Sequence, residues 1–289
     1  MPITLPQLRA FVAVVDHRGF AAAADELGVT QSAVSHTVSA LEASLGAPVV
    51  VRRPSLEVTA LGRDILPHAR SALASADALL HAARQTQEQS GTIRLGVTST
   101  VCFGLLPALM TTWRTAHPAI IVRVFEGDDP ELVTWLEDGT VDAAILIDPA
   151  ADYPNGVLVG TDAYCAVVRE DHPLAAEANI TADALLDDPV LVSAGGCGPD
   201  IIDLLRSHDP GFTPAQRVYD SAALLNLVAA DLGVTVFPSI GRGMLAPGTR
   251  MIALDPAIER RMVFTGPAGR AWHPLVEPLR SPLTRRAAH

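Results

Sequence analysis

Ser32, Ser35, His36 and Ser39 fall at i, i+3, i+4 and i+7, so on a helix they form one polar stripe without long acidic side chains. Hydroxyls both donate and accept, and an imidazole meets either a base or a phosphate, so the stripe suits contact with base edges in the major groove of DNA. A solvated face on an ordinary helix has the same spacing. Arg52 and Arg53, adjacent and followed by Pro54, are the best-placed cations for phosphate or the minor groove.

A second set of residues follows apolar runs farther along the chain. Ser99, Thr100 and Cys102 come after the run 93–97, and Ile147 to Pro149 come at the end of another. Gly196 and Cys197, Ser221 and Phe237 occupy equivalent places later. If the runs are strands of α/β sheets, these residues sit at carboxyl ends, where such sheets bind ligands. Ser99 and Thr100 precede a helix whose free N–H groups favour an anionic or strongly polar ligand. Plain capping of that helix explains the same two residues. Gly195, Gly196 and Gly198 let a ligand approach the backbone closely, and they equally suit an ordinary glycine-rich turn.

The elements that must hold these groups are legible from periodicity. Leu5, Leu8, Phe11, Val12 and Val15 mark one face of a first helix ended by Gly19, and 20–27 is a short Ala-rich helix closed by Gly28. Thr30 is the expected N-cap of a third helix, with Val34, Val38, Leu41 and Leu45 on its apolar side and Gly46 at its end. The polar stripe lies on the opposite side. Two short strands around Arg52–Arg53 read as a wing.

From Thr59 to about Gln89 a long helix is predicted, with Leu66, Ala69, Leu73, Ala76, Leu80 and Ala83 as a coiled-coil seam and a bend at Pro67. A partner copy, or the helix's own domain, could cover that seam; its length between two domains favours a homodimer. After Gly91, strands at 93–97, 120–125 and 143–147 alternate with helices at 103–116 and 130–137, which predicts a parallel sheet. A second set at 164–168, 190–192, 216–219 and 234–237, with helices at 199–205 and 221–231, builds another lobe, and a last helix near 271–279 returns to the first.

Charge and composition narrow the function classes. The net charge is −11, and residues 1–90 hold seven Arg against eight acidic residues while residues 91–289 hold fourteen against twenty-four. The excess acid lies in the second part, which DNA would repel. Within the first 62 residues, however, Arg9, Arg18, Arg52 and Arg53 face Asp16, Asp25, Glu26, Glu42 and Glu57, so DNA binding there must depend on placement, helped by two copies acting together. Aromatics at 4% supply few stacking platforms for single strands. Cys102, Cys165 and Cys197 are far apart, which indicates reduced thiols and neither a disulfide framework nor a zinc site. No export signal and no run of roughly 18 to 20 apolar residues is present, so a soluble cytoplasmic protein is expected. No cofactor or metal is expected. The chain lacks nucleophile-elbow, metalloprotease and phosphate-loop motifs, which argues against an enzyme.

The order Leu8, Phe11, Gly19, Phe20, Ala23, Ala24, Leu27, Thr30, Gln31, Ser32, Ala33, Val34, Ser35, Leu41, Glu42, Leu45, Gly46, Pro48, Arg52, Thr59, Gly62 resembles the LysR-type winged helix-turn-helix. Val50 stands where that family usually has Phe, His36 where it often has Arg, and the 53–59 hairpin is about one residue short. Gly96 with Ser99, Val141-Asp142-Ala143, His172-Pro173-Leu174 and Gly233-Val234 resemble the family's effector domain. The resemblance implies a multidomain chain: a winged helix-turn-helix over 1–61, rich in helix; a long linker helix over 62–90; and a two-lobed α/β, periplasmic-binding-protein-like domain over 91–289. Lobe I would take about 91–162 and 266–289, and lobe II about 163–265. It implies double-stranded DNA as partner, with Gln31, Ser32, Ser35, His36 and Arg52 as contacts. It further implies a small-molecule effector, a homodimer that pairs into a tetramer, and contact with RNA polymerase. Thiol sensing at Cys197, known among the family's redox switches, is the alternative to a bound effector, although neither Lys nor a neighbouring Arg stands beside it to favour a thiolate.

Overall fold

The computed structural model describes residues 2–51, 56–83, 90–149 and 153–286. Its N-terminal unit comprises α1 (Leu5–Asp16), α2 (Phe20–Leu27), α3 (Gln31–Leu45), β1 (Val50–Val51) and β2 (Glu57–Val58). Phe11, Val34, Val38 and Leu41 are fully enclosed at its centre. Gly28 and Gly46 end α2 and α3 in the left-handed conformation, which glycine adopts without steric cost. Gly19 does not terminate α1, which stops at Asp16; it is the N-cap of α2. β1 and β2 pair antiparallel as the expected wing, whose tip, with Arg52 and Arg53, lies outside the described residues.

α4 (Ala60–Ala83) begins where predicted, with the Thr59 hydroxyl accepting from the Gly62 N–H at 2.9 Å. Pro67 lies inside this single unbroken helix element. The first half of the supposed seam has another role: Ala69 is buried in the N-terminal core, and Leu66 and Leu73 pack against it. A helix leaving a small domain can bury its first turns on that domain. Farther on, Leu79 is 73% exposed; residues 84–89 lie outside the described residues.

The remainder holds β3 (Gly91–Val97), α5 (Ser99–Gly104), α6 (Leu106–Ala116), β4 (Ile120–Glu126), α7 (Asp129–Asp138), β5 (Ala143–Ile147), β6 (Val157–Arg169), β7 (Asn179–Ile180), β8 (Val190–Ser193), α8 (Gly198–His208), β9 (Gln216–Val218), α9 (Ser221–Ala229), β10 (Val234–Pro238), β11 (Thr249–Leu254), β12 (Glu259–Thr265) and α10 (Val276–Arg286). In lobe I the order β4-β3-β5-β12-β6 packs its main core around Trp113 and Phe264, and in lobe II β6-β10-β8-β9, with β11 on the other side of β6, separates two cores, one on each face. β6 serves both lobes, since residues 157–163 pair with β12 and residues 164–169 with β10 and β11.

The sheets are therefore mixed, not wholly parallel. β3 pairs in parallel with β4 and β5, and β8 with β9 and β10, as alternating strands and helices require; β6 and β12 are antiparallel to their neighbours. β12 joins the first sheet, so the return to lobe I begins at Glu259, ahead of residue 266, and the final helix runs later than 271–279. The predicted helix 103–116 is two helices meeting at Leu105. Among the described residues no helix is long and apolar enough to cross a membrane.

Candidate functional site

On α3 the apolar and polar faces separate as the period of a helix demands: Val34, Val38 and Leu41 are buried, while Gln31, Ser32, His36 and Ser39 are exposed and Ser35 is half-buried. The Thr30 hydroxyl accepts from the Ala33 N–H at 3.2 Å and lies 3.0 Å from the Ser32 hydroxyl, which fixes the first turn. Three acids that weakened the charge argument are engaged elsewhere. Asp16 accepts from the Arg70 guanidinium, Glu26 lies 3.5 Å from Arg123 and 4.0 Å from His17, and Glu42 accepts from the Val49 and Val50 N–H groups at the base of the wing. Their charges are thus held by groups other than the α3 stripe.

The two lobes enclose a cleft of about 300 Å³. From lobe I it is lined by Ser99 and Thr100 at the start of α5 and by Ile147 at the end of β5; from lobe II by Gly196, Cys197, Ser221 and Phe237. Ser99 and Ser221, on opposite sides, bring their hydroxyls to 3.5 Å. Gly198 beside Cys197 is required by space, because a Cβ there would lie 2.0 Å from the Ser193 carbonyl oxygen.

Two predicted cleft residues are placed elsewhere. Pro149 faces a neighbouring hollow with Tyr153 and Val133, because the chain turns away after β5 through Asp148 at a positive φ of 41°. Cys102, one turn farther into α5 than Ser99, faces a third hollow beside Phe103 and Met244. The two alternatives for Ser99 and Thr100 also change: Thr98 is the N-cap of α5, so neither residue caps it, and a helix of six residues gives little dipole for an anion.

Arg260 was not among the expected cleft residues. It projects from β12, a strand hidden from sequence reading because Glu259-Arg260-Arg261 precedes its apolar half. Buried and lining the cleft, Arg260 donates to Asp162 through Nε at 2.9 Å and Nη2 at 2.8 Å, and its guanidinium lies 5.0 Å from the centre of the Tyr164 ring. The Tyr164 hydroxyl in turn donates to Asp200 at 3.1 Å. Facing this network is an acidic wall: Glu126, Asp128, Asp129 and Glu131 line the same cleft. Asp128 and Glu131 form the capping box of α7, with reciprocal bonds of 3.0 Å. Burial pushes the Asp129 carboxyl up to about 6; Arg260 opposes this, and Asp200 and Asp128 reinforce it. The signal for this wall, Asp128-Asp129-Pro130-Glu131, was legible as a helix start but not as a cleft wall.

Burial also pushes the Cys197 thiol up to about 11, opposed by Arg260. Cys165 packs into the core on one face of the lobe II sheet, while Cys197 packs against the core on the other.

Residues 5–63 match the model of the bacterial regulatory helix-turn-helix proteins of the LysR family, and residues 86–288 match that of the LysR substrate binding domain. The transcriptional regulator IlvR of Caulobacter vibrioides is 33% identical over 87% of this chain and 88% of its own. A probable hydrogen peroxide-inducible genes activator of Mycobacterium avium is 32% identical over 92% of this chain and 89% of its own. Full-length OxyR from Pseudomonas aeruginosa superposes with a TM-score of 0.79 at 23% identity, covering 98% of this chain and 95% of that one, and CbnR complexed with its target DNA with 0.66 at 21%, covering 98% and 99%; these two show the shared fold. The matched families are of regulators and not of enzymes. With both models together spanning nearly the whole sequence, the chain belongs to the LysR family of bacterial helix-turn-helix transcriptional regulators.

Proposed function

We propose that α3 reads a specific double-stranded DNA sequence through Gln31, Ser32, Ser35, His36 and Ser39, with Arg52 and Arg53 on the wing holding phosphate or the minor groove. The observation that carries this reading is the exposed polar face of α3 above a fully buried Val34, Val38 and Leu41. CbnR, a structural neighbour, was solved on its target DNA. In this reading residues 1–61 bind DNA, 62–90 link, and 91–289 sense. α4 supplies the homodimer contact through its second half, and dimers pair into a tetramer that meets RNA polymerase. Acting on the chromosome, the protein works in the cytoplasm.

A small effector in the interlobe cleft, held by Ser99, Thr100, Ile147, Gly196, Cys197, Ser221 and Phe237, shifts the relative placement of the lobes, and through the assembly that of the DNA-binding units. Thiol sensing at Cys197 has one observation in its favour, the similarity to a hydrogen peroxide-inducible genes activator. The raised thiol, unfavourable for a thiolate, and the placement of Cys165 across the sheet favour the bound effector. The test is titration of the full chain onto DNA upstream of its own gene at two salt concentrations with unrelated competitor. Binding that is salt-sensitive and survives competition is expected; failure on this duplex and on genomic fragments overturns the reading.

A further inference from the structure

The cleft has an unbalanced charge. Arg260, the one cation among the described lining residues, is already taken by the two oxygens of Asp162. Against it stand Glu126, Asp128, Asp129 and Glu131. Asp128 and Glu131 are held by the capping box of α7, so these carboxylates are fixed in the wall. Asp129 is different: its Oδ1 is buried and makes no hydrogen bond. The Ile147 backbone N–H favours its charged form, yet a carboxylate withdrawn from water with one oxygen unpaired is unfavourable, and a positive charge brought into the cleft beside it relieves this. Among the described residues these carboxylates do not converge as a set of metal ligands, and the cleft of about 300 Å³ that they line has the size of a small-molecule site. Across the cleft the Ser99 and Ser221 hydroxyls can take the neutral or acidic end of the same molecule.

We propose that the interlobe cleft takes a small organic molecule bearing a cationic nitrogen, ammonium or guanidinium, whose charge is received by the wall of Glu126, Asp128 and Asp129. This rests on the cleft being the effector site and names the chemistry of that effector. The charges facing Asp129 are Arg260 from β12, Asp200 from α8 and Asp128 beside it. Because Asp129 takes up a proton near pH 6, a cation is held better above that pH than below it. A ligand carboxylate that accepts from protonated Asp129 would show the reverse.

The experiment is thermal unfolding of the full chain with millimolar putrescine, L-ornithine or L-arginine, and in parallel with succinate or glutarate. At least one cationic probe is expected to raise the midpoint by about 2–4 °C. That shift should fade as the pH falls through about 6. It should vanish in Asp129→Asn, weaken in Glu126→Gln at its exposed position, and persist in Asp187→Asn outside the cleft. A shift produced only by the dicarboxylates, or one that grows at low pH, overturns the charge assignment and leaves the cleft as an effector site. No shift with any cationic probe also overturns it, while the DNA titration judges the regulator reading separately.

Discussion

Arg260 and Asp162 are joined by two hydrogen bonds of 2.9 and 2.8 Å at the point where β6 and β12 run between the lobes, with side chains only 5% and 3% exposed. Asp162 also accepts from the Ile240 N–H at 3.1 Å, so one carboxylate ties the hinge strands to the segment after β10. The lining of the cleft and the strands that run between the lobes therefore share Arg260.

Removing one member of such a pair leaves a buried charge without its counter-ion, at a cost of about 3–5 kcal/mol. Asp162→Asn is therefore expected to lower the urea midpoint sharply, while the double replacement Asp162→Leu with Arg260→Met recovers most of the loss. Equal losses in the single and double variants would show that the pair is not the source of the stability.

Asp129 makes ligand-free stability depend on pH. Its folded carboxyl, at about 6, lies above the ordinary 3.8, so between these values the folded state binds more protons than the unfolded state. Stability from this group falls as pH rises through that window, and the whole penalty is present above it. Asp129→Asn should raise the stability of the ligand-free protein by on the order of 2 kcal/mol at about pH 8 and add little at about pH 4. Chemical denaturation at the two pH values measures the difference.

Cys197 should react slowly. With its thiol pushed up to about 11, little thiolate exists near neutrality. Alkylation by iodoacetamide is expected to be far slower than for a free cysteine, and Cys197→Ser should keep wild-type DNA affinity before and after peroxide. Loss of peroxide-dependent DNA binding in that variant would restore the thiol-sensing reading.

On DNA, Gln31→Ala should weaken specific binding by about 1–3 kcal/mol and relax discrimination at one base pair. Arg52→Ala should weaken binding to all sequences alike and reduce the salt slope by about 1. A specificity change with Arg52→Ala but not Gln31→Ala would reverse the two roles.

Arg70 connects the DNA-binding unit to lobe I. Buried on α4, its guanidinium donates to Asp16 at the end of α1 and to Thr140 beyond α7, and Asp138 lies 3.9 Å away. Arg70→Ala should cost about 1–3 kcal/mol and raise hydrogen exchange at the end of α1 and around Thr140 together. Exchange rising at only one of them would mean that Arg70 does not join the units.

The sequence by itself determined the three N-terminal helices, the wing, the start of α4 and most strands of the two lobes. Each is written in local signals: a Thr cap, a glycine in the left-handed conformation, apolar residues at the period of a helix or strand. It also marked Ser99, Thr100, Ile147, Gly196, Cys197, Ser221 and Phe237 for one cleft, because strand ends in α/β folds converge predictably. Tertiary structure alone decided that Leu66, Ala69 and Leu73 cover the chain's own N-terminal core, that Pro149 and Cys102 face other hollows, and that β12 carries Arg260 to the hinge. These outcomes depend on pairings between residues distant in the chain, such as Arg260 with Asp162 and Asp16 with Arg70. The same is true of the sign of the cleft's charge: an acid read one at a time is a helix cap or a solvated group, and only folding sets which acids are neutralised and which are left facing a ligand.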